Sequence, residues 1–228
     1  MGQTIVEKLV SAKLGRSVSA GEVVWLPQDV VTARDFGGAN VVRNFADAYG
    51  EDAEVFDAGR IRFTFDCNAP ANTAGYATNQ QVCREFARKH GIKVHDVDAG
   101  IGSHLLIEQG LALPGATAVG TDSHYNILGS VGALGLGMGD VDIAYAFRKG
   151  QVWFEVPPTV RLNIEGKLAP NAYAKDLILA VVHHFGSGGL LGRAVEFYGD
   201  VVDDSCSSPL LGGYLEGGLP YLELPYEL

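Results

Sequence analysis

The sequence predicts an α/β fold built on a mostly parallel, open sheet flanked by helices. Three observations support it. Short β-branched runs alternate with segments of helical spacing along most of the chain. Polar residues cluster just after those runs, where an open parallel sheet gathers its ligand sites. A hydrophobic fraction of 47% with only 19% charged residues is enough for a core and too little charge for a disordered chain. The 228 residues suffice for one large domain or two small ones. One α/β domain with room for two subdomains is expected over 1–200, followed by a tail over 201–228.

Thr4-x-x-Glu7 has the form of a capping box opening a short amphipathic helix that stops near Gly15. Val23–Leu26 reads as a strand, and Ala39–Ala48 as a helix with Val42, Phe45 and Ala46 on one face. Ile61–Phe65 alternates as a strand. A second capping box, Thr78-x-x-Gln81, predicts a helix that ends at Gly91. Val94–Val97 and Ala116–Val119 read as short buried strands on either side of a helix around Leu105–Gln109. Between Gly129 and Gly139, glycine at spacings of two and three allows another backbone or a ligand to come close. Val152–Val156 and Val160–Ile164 form two strand-like runs around Pro157-Pro158. Ala174–His184 is an apolar helix closed by Gly186, and Ala194–Tyr198 a further strand. The last 28 residues hold five acidic and no basic residues, so half of the net charge, and are expected to be extended and weakly packed.

With 27 acidic against 17 basic residues, the net charge of -10 repels phosphate backbones and anionic lipid, so neither nucleic acid nor membrane is an expected partner. No apolar run approaches the length of a membrane span, and Met1–Glu7 shows no basic stretch followed by an apolar one, so a secretory leader is not expected. Cys67, Cys83 and Cys206 are an odd, scattered set without C-x-x-C, which fits a reducing compartment and offers no metal-ligand motif. A cytoplasmic location is expected. Neither G-x-G-x-x-G after a strand nor G-x-x-x-x-G-K-[ST] is present, so nucleotide binding has no support.

His104 and the segment Thr121-Asp122-Ser123-His124 fall at neighbouring strand ends, where two imidazoles and a carboxylate can face one cleft. A histidine oriented by a carboxylate is a tautomer-fixed general acid, suited to protonating a leaving hydroxyl. The alternative is structural: Asp122 caps the following helix and the histidines are half-buried and satisfied by backbone. Spacing leaves both open.

Several segments occur here in the order found in one known family. They are Leu113-Pro114-Gly115, Gly120-Thr121-Asp122-Ser123-His124, the Gly-rich run to Gly139, Trp153–Pro157, Glu165–Leu168, Ala174-Lys175-Asp176 and Arg193–Gly199. With these motifs, from the N-terminus to about Asp203, the chain resembles the aconitase superfamily, nearest to the large subunit of 3-isopropylmalate dehydratase or homoaconitase. The resemblance implies a hydro-lyase of amino-acid biosynthesis that moves a hydroxyl between adjacent carbons of a di- or tricarboxylate. It implies a [4Fe-4S] cluster acting as Lewis acid, a carboxylate substrate, and cluster-bearing and small-subunit partners. By position it implies catalytic roles for His104 paired with Asp122, for His124 paired with Glu196, and for Asp66. Arg34, Asp35, Asn68 and Ser123 fall where the resemblance implies substrate contacts.

The sequence departs from that pattern at Cys67, where the family has histidine after Asp66. A thiol beside a carboxylate is not a cationic proton donor at neutral pH. The family's three cluster cysteines fall beyond the end of this sequence, so the chain itself is expected to hold no metal. A split or truncated subunit, a remnant and a short paralogue all fit. The expected function is a hydro-lyase subunit, incomplete without cluster-binding and small-subunit parts; the alternative is a non-catalytic small-acid binding or assembly module derived from that family.

Overall fold

The structure, a computed structural model, describes residues 2–186 and 188–205, the last three without their side chains. The chain begins with α1 (Ile5–Leu14), β1 (Val23–Pro27), β2 (Val30–Arg34) and α2 (Gly38–Tyr49). It continues through β3 (Ile61–Thr64), α3 (Ala74–His90), β4 (Lys93–His95), α4 (Gly102–Glu108) and β5 (Thr117–Gly120). Then follow β6 (Leu134–Gly137), α5 (Asp140–Lys149), β7 (Gln151–Glu155) and β8 (Thr159–Asn163), and finally α6 (Ala174–Phe185), β9 (Ala194–Tyr198) and α7 (Asp200–Ser205). Two units result. One joins the residues up to Val23 with the chain from Glu155 onward; the other is Val24–Phe154.

The Val24–Phe154 unit is organised by a five-stranded sheet in the order β4-β3-β2-β5-β6, every neighbouring pair parallel. Its middle strand, Val30-Val31-Thr32-Ala33, is buried throughout, as the central strand of a sheet covered on both faces must be. On β3 the alternate residues Ile61 and Phe63 are completely buried. α2 packs against both α3 and α5, while α4 packs against the 3-10 turn over Tyr125–Val131. Phe45 meets Phe86 edge-on at 5.4 Å and Phe63 meets Phe147 at 5.7 Å, so helices and sheet share one aromatic core. Cys83 belongs to it: a Cβ on Gly38 would stand 2.7 Å from its Sγ, so glycine is what lets α2 approach α3. β1 and β7 form a separate two-stranded ribbon.

In the other unit, β8 and β9 pair in parallel from Thr159–Ala194 to Asn163–Tyr198, with α6 as the crossover between them. Ile178, Leu190 and Val195 form its core, with Val160, Leu162 and Phe197 packed against them. The capping box at Thr4 and Glu7 opens α1 as the sequence predicts, and Gly15 closes it in the left-handed conformation.

The structure corrects three expectations. α3 starts at Ala74 rather than near Thr78, because Thr73 supplies an earlier cap, accepting the Tyr76 amide at 3.2 Å. Thr78 then lies inside the helix and donates its hydroxyl back to the Ala74 carbonyl. The segment expected to be extended from Val201 is helical through Ser205; residues 206–228, Cys206 among them, lie outside the described residues. Finally β2, β6 and α5, which the sequence reading did not delineate, complete the sheet and its cover. Among the described residues no helix is long and apolar enough to cross a membrane.

Candidate functional site

From β2 the chain builds outward through β3 to β4, then returns to the opposite side of β2 with β5 and β6. The direction of winding therefore reverses between β2 and β5, and such a reversal leaves a crevice at the carboxyl ends of the two strands. Arg34 is the last residue of β2, and Asp122 lies two residues past the end of β5. The Arg34 amide donates to Thr121 Oγ1 at 2.8 Å, joining the two strand ends directly.

The Arg34 side chain reaches to both neighbours of its strand. Nε donates to Asp66 Oδ1 at 2.8 Å, beyond the end of β3, and Nη1 to Asp122 Oδ1 at 3.0 Å, beyond β5. Both carboxylates are nearly inaccessible, their side chains 3% and 2% exposed, whereas that of Arg34 is 19% exposed. Burial alone would favour losing the guanidinium proton; Asp122 and Asp66 outweigh it and hold that proton more tightly than usual. Asp66 Oδ2 accepts the Gly102 amide at 2.6 Å, which fixes the start of α4. Asp122 Oδ1 also accepts the His124 amide at 2.9 Å and lies 3.3 Å from His124 Nδ1.

Behind these groups Asp35 is wholly buried. Its carboxylate accepts the amides of Asp66, Cys67 and Asn68 at 3.1–3.3 Å and the Gln80 side-chain amide at 3.0 Å. The same Gln80 nitrogen donates to the Asn68 carbonyl, so one buried pair shapes the whole loop, which continues through a cis Ala69–Pro70 bond. Cys67 is exposed and its Sγ lies 3.7 Å from Asp66 Oδ1. Partial burial of the sulfur, helped by Asp66 and Asp35 and opposed by Arg34, pushes the thiol up to about 12. It is a protonated donor at neutral pH.

The loop carrying Asp122 and His124 is seated by Tyr125, fully buried and hydrogen-bonded through its hydroxyl to Thr32 of the central strand. A Cβ on Gly135 would fall on the Tyr125 carbonyl, and one on Gly137 would stand 2.8 Å from the Asp122 carbonyl. Glycine on β6 therefore serves the close approach of backbone to backbone that its spacing predicts.

Of the residues singled out in the sequence, the structure gathers Arg34, Asp35, Asp66, Asn68, Asp122 and His124 into one hydrogen-bonded set, with exposed Ser123 between the last two. The expected pairing differs. Among the described residues Asp122 bonds Arg34 and His124, and His104 Nδ1 instead lies 3.5 Å from Ser103 Oγ. Asp122 both faces the His124 imidazole and caps its own turn through the His124 amide. Asp35, expected to touch substrate, is an internal scaffold: it is buried and four donors already occupy its oxygens. Glu196 belongs to the other unit, where it accepts the Ile5 amide at 2.7 Å and the Tyr198 hydroxyl at 2.6 Å, tying α1 to β9. Gln80 and Tyr125 are not among the residues the sequence singles out; the Val-Val-Thr-Ala-Arg-Asp run is the available signal for a strand ending in the site.

An iron–sulfur cluster needs several thiolates at one point. The described cysteines do not offer them: Cys67 is held protonated and Cys83 is buried in the aromatic core, its thiol also pushed up to about 12 by burial. The described residues thus do not fit the cluster. Oxygens of Asp35 and Asp66 and the Cys67 sulfur do lie within 4.8 Å of one another, but the carboxylates already serve Arg34, Gly102, Gln80 and the loop amides.

The profile of the aconitase family (aconitate hydratase) matches residues 8–207. The chain is 39% identical over 202 residues to the 3-isopropylmalate dehydratase large subunit of Methanoregula boonei, covering 89% of this chain and 48% of that protein. It is 38% identical over 205 residues to the corresponding subunit of Wolinella succinogenes, again covering 89% of this chain and 48% of the relative. A probable methanogen homoaconitase large subunit of Methanothermobacter thermautotrophicus is 39% identical over 203 residues, covering 87% and 47%. The chain spans about half the length of these relatives.

Proposed function

Because the chain belongs to the aconitase family, we propose that it supplies one side of a hydro-lyase site acting on a hydroxy di- or tricarboxylate such as 3-isopropylmalate or homocitrate. The observation that carries this reading is the Asp122–His124 pair at the reversal point of the sheet, Nδ1 to Oδ1 at 3.3 Å. With Nδ1 directed at the carboxylate, Nε2 is the nitrogen left to face a leaving hydroxyl, and Asp122 fixes the orientation of the ring. Asp66, fixed by Arg34 and Gly102, holds its neighbouring loop in register, and Asn68 and Ser123 offer polar groups for substrate. His104, on the first turn of α4, completes the proposed set.

A [4Fe-4S] cluster held by a partner chain would supply Lewis-acid activation of the hydroxyl. Since the described residues do not fit it, cluster-bearing and small-subunit polypeptides are proposed partners, in a cytoplasmic assembly. The test is anaerobic mixing of the full chain with the C-terminal half of a related large subunit and its small subunit. Dehydration of 3-isopropylmalate or homocitrate, followed by ultraviolet absorbance of the unsaturated acid, is the expected result. Saturable acid binding by the assembly without turnover would favour the alternative, a non-catalytic module. That alternative draws on Cys67, a protonated thiol where the family has histidine.

A further inference from the structure

We propose that Arg34 is a positioning residue, a fork that holds the Asp66 and Asp122 carboxylates from the strand between them and acts through those carboxylates instead of contacting substrate. The assignment deepens the reading above, in which these carboxylates belong to the working side of the site. Three observations carry it. First, β2 lies between β3 and β5, so its terminal residue is the one from which a single side chain can reach both flanking strand ends. Second, two different nitrogens of one planar guanidinium each hold a different carboxylate, Nε to Asp66 at 2.8 Å and Nη1 to Asp122 at 3.0 Å. An ammonium is a single point charge and does not present that fork.

Third, each carboxylate passes the constraint on to one backbone amide. Asp66 Oδ2 accepts Gly102, and so orients the first turn of α4 that carries His104. Asp122 Oδ1 accepts His124. The Arg34 amide is itself fixed by Thr121, so the fork has a rigid base. Its charge matters as well: Asp35, Asp66 and Asp122 converge here, and Arg34 is the cation bonded to two of them. Without it two nearly buried carboxylates would lose the cation they share.

The test needs no substrate, so failure of the hydro-lyase reading and failure of this one are separable. Amide hydrogen exchange is followed residue by residue in the full chain and in its Arg34→Gln and Arg34→Lys variants. Arg34→Gln is expected to speed exchange at both Gly102 and His124 by tenfold or more, while amides of β3 and β5 keep their rates. Arg34→Lys is expected to retain protection at no more than one of the two.

The second readout is the pH profile of Cys67 alkylation, resolved by peptide mass. Arg34→Gln should move it to higher pH because Arg34 favours the thiolate, and Arg34→Lys, which keeps the charge, should not. Unchanged exchange at Gly102 and His124 in Arg34→Gln, uniform acceleration throughout the chain, full protection of both amides in Arg34→Lys, or an alkylation profile indifferent to Arg34→Gln would each overturn the assignment.

Discussion

Gln80 and Asp35 meet in the buried space behind the Asp66–Asn68 loop, the side-chain amide donating to Oδ2 at 3.0 Å. The pair comes from α3 and from the residue after β2, so the loop is shaped by two elements that it does not belong to. Asp35→Ala would leave three backbone amides without their acceptor and Gln80 with the Asn68 carbonyl alone. A buried donor left unpaired costs about 1–3 kcal/mol, so the loss in unfolding free energy should reach at least about 2 kcal/mol. Urea melts of the two proteins measure it, and a difference below about 0.5 kcal/mol would contradict the scaffold role.

Gly135→Ala is a more selective perturbation. The added methyl meets the Tyr125 carbonyl, a backbone atom that cannot rotate away, so either β6 or the Asp122–His124 loop must move. Overpacking of this kind costs about 1–3 kcal/mol or more. The expected signature is lower stability together with loss of exchange protection at His124. A variant as stable as the parent, with that amide still protected, would refute the seating argument.

Arg84 and Asp96 form a two-pronged ion pair, Nε to Oδ2 at 2.7 Å and Nη2 to Oδ1 at 2.6 Å. The hydrogen bonds from Arg84 hold the Asp96 carboxyl below the ordinary carboxylate range. Since the folded value is the depressed one, the stabilisation is present above the unfolded value of about 4 and fades as pH falls through the folded value. Both side chains are partly exposed, which limits the contribution to about 1 kcal/mol or less. The stabilities of the parent and Arg84→Met should differ near neutrality and converge in acid; a gap that widens on acidification would reverse the sign.

Cys67 should be exposed yet unreactive. With its thiol near 12, the thiolate fraction at neutral pH is about three orders of magnitude below that of an ordinary cysteine. Iodoacetamide labelling of the Cys67 peptide in the native chain should therefore be far slower than in the urea-unfolded chain. Asp35→Asn, which removes a charge that suppresses the thiolate, should speed it. Equal native and unfolded rates would show that neither burial nor the carboxylates suppress the thiolate.

Local signals made much of the framework readable. The Thr4–Glu7 box, the β-branched runs and the Gly stops at Gly15, Gly91 and Gly186 located most helices and strands, because each depends on residues close in sequence. β2 was hidden by its proximity to β1, only Gln28 and Asp29 separating two Val-rich runs, and β6 by its glycines, which lower strand propensity while serving the Tyr125 loop. The same locality explains the site. Polar groups after strands are visible in a sequence, so the placement of Asp66, Asp122 and His124 at strand ends is legible there. Which carboxylate faces which cation depends on strand order, and β2 had not been delineated; Arg34 therefore read as a ligand contact and not as a link between two strands.

The β4-β3-β2-β5-β6 order also carries a history of assembly. Strands β2, β3 and β4 are consecutive in the chain, and each can pair with its predecessor as it emerges during synthesis. Arg34 can then meet Asp66, 32 positions away, while Asp122 is 88 positions away and arrives only with β5. Closing that longer loop is the slower event. An emerging chain that ends before Thr117 would hold half of the arginine's ion pairs, and the acid–imidazole side of the crevice would form only once β5 has joined the sheet.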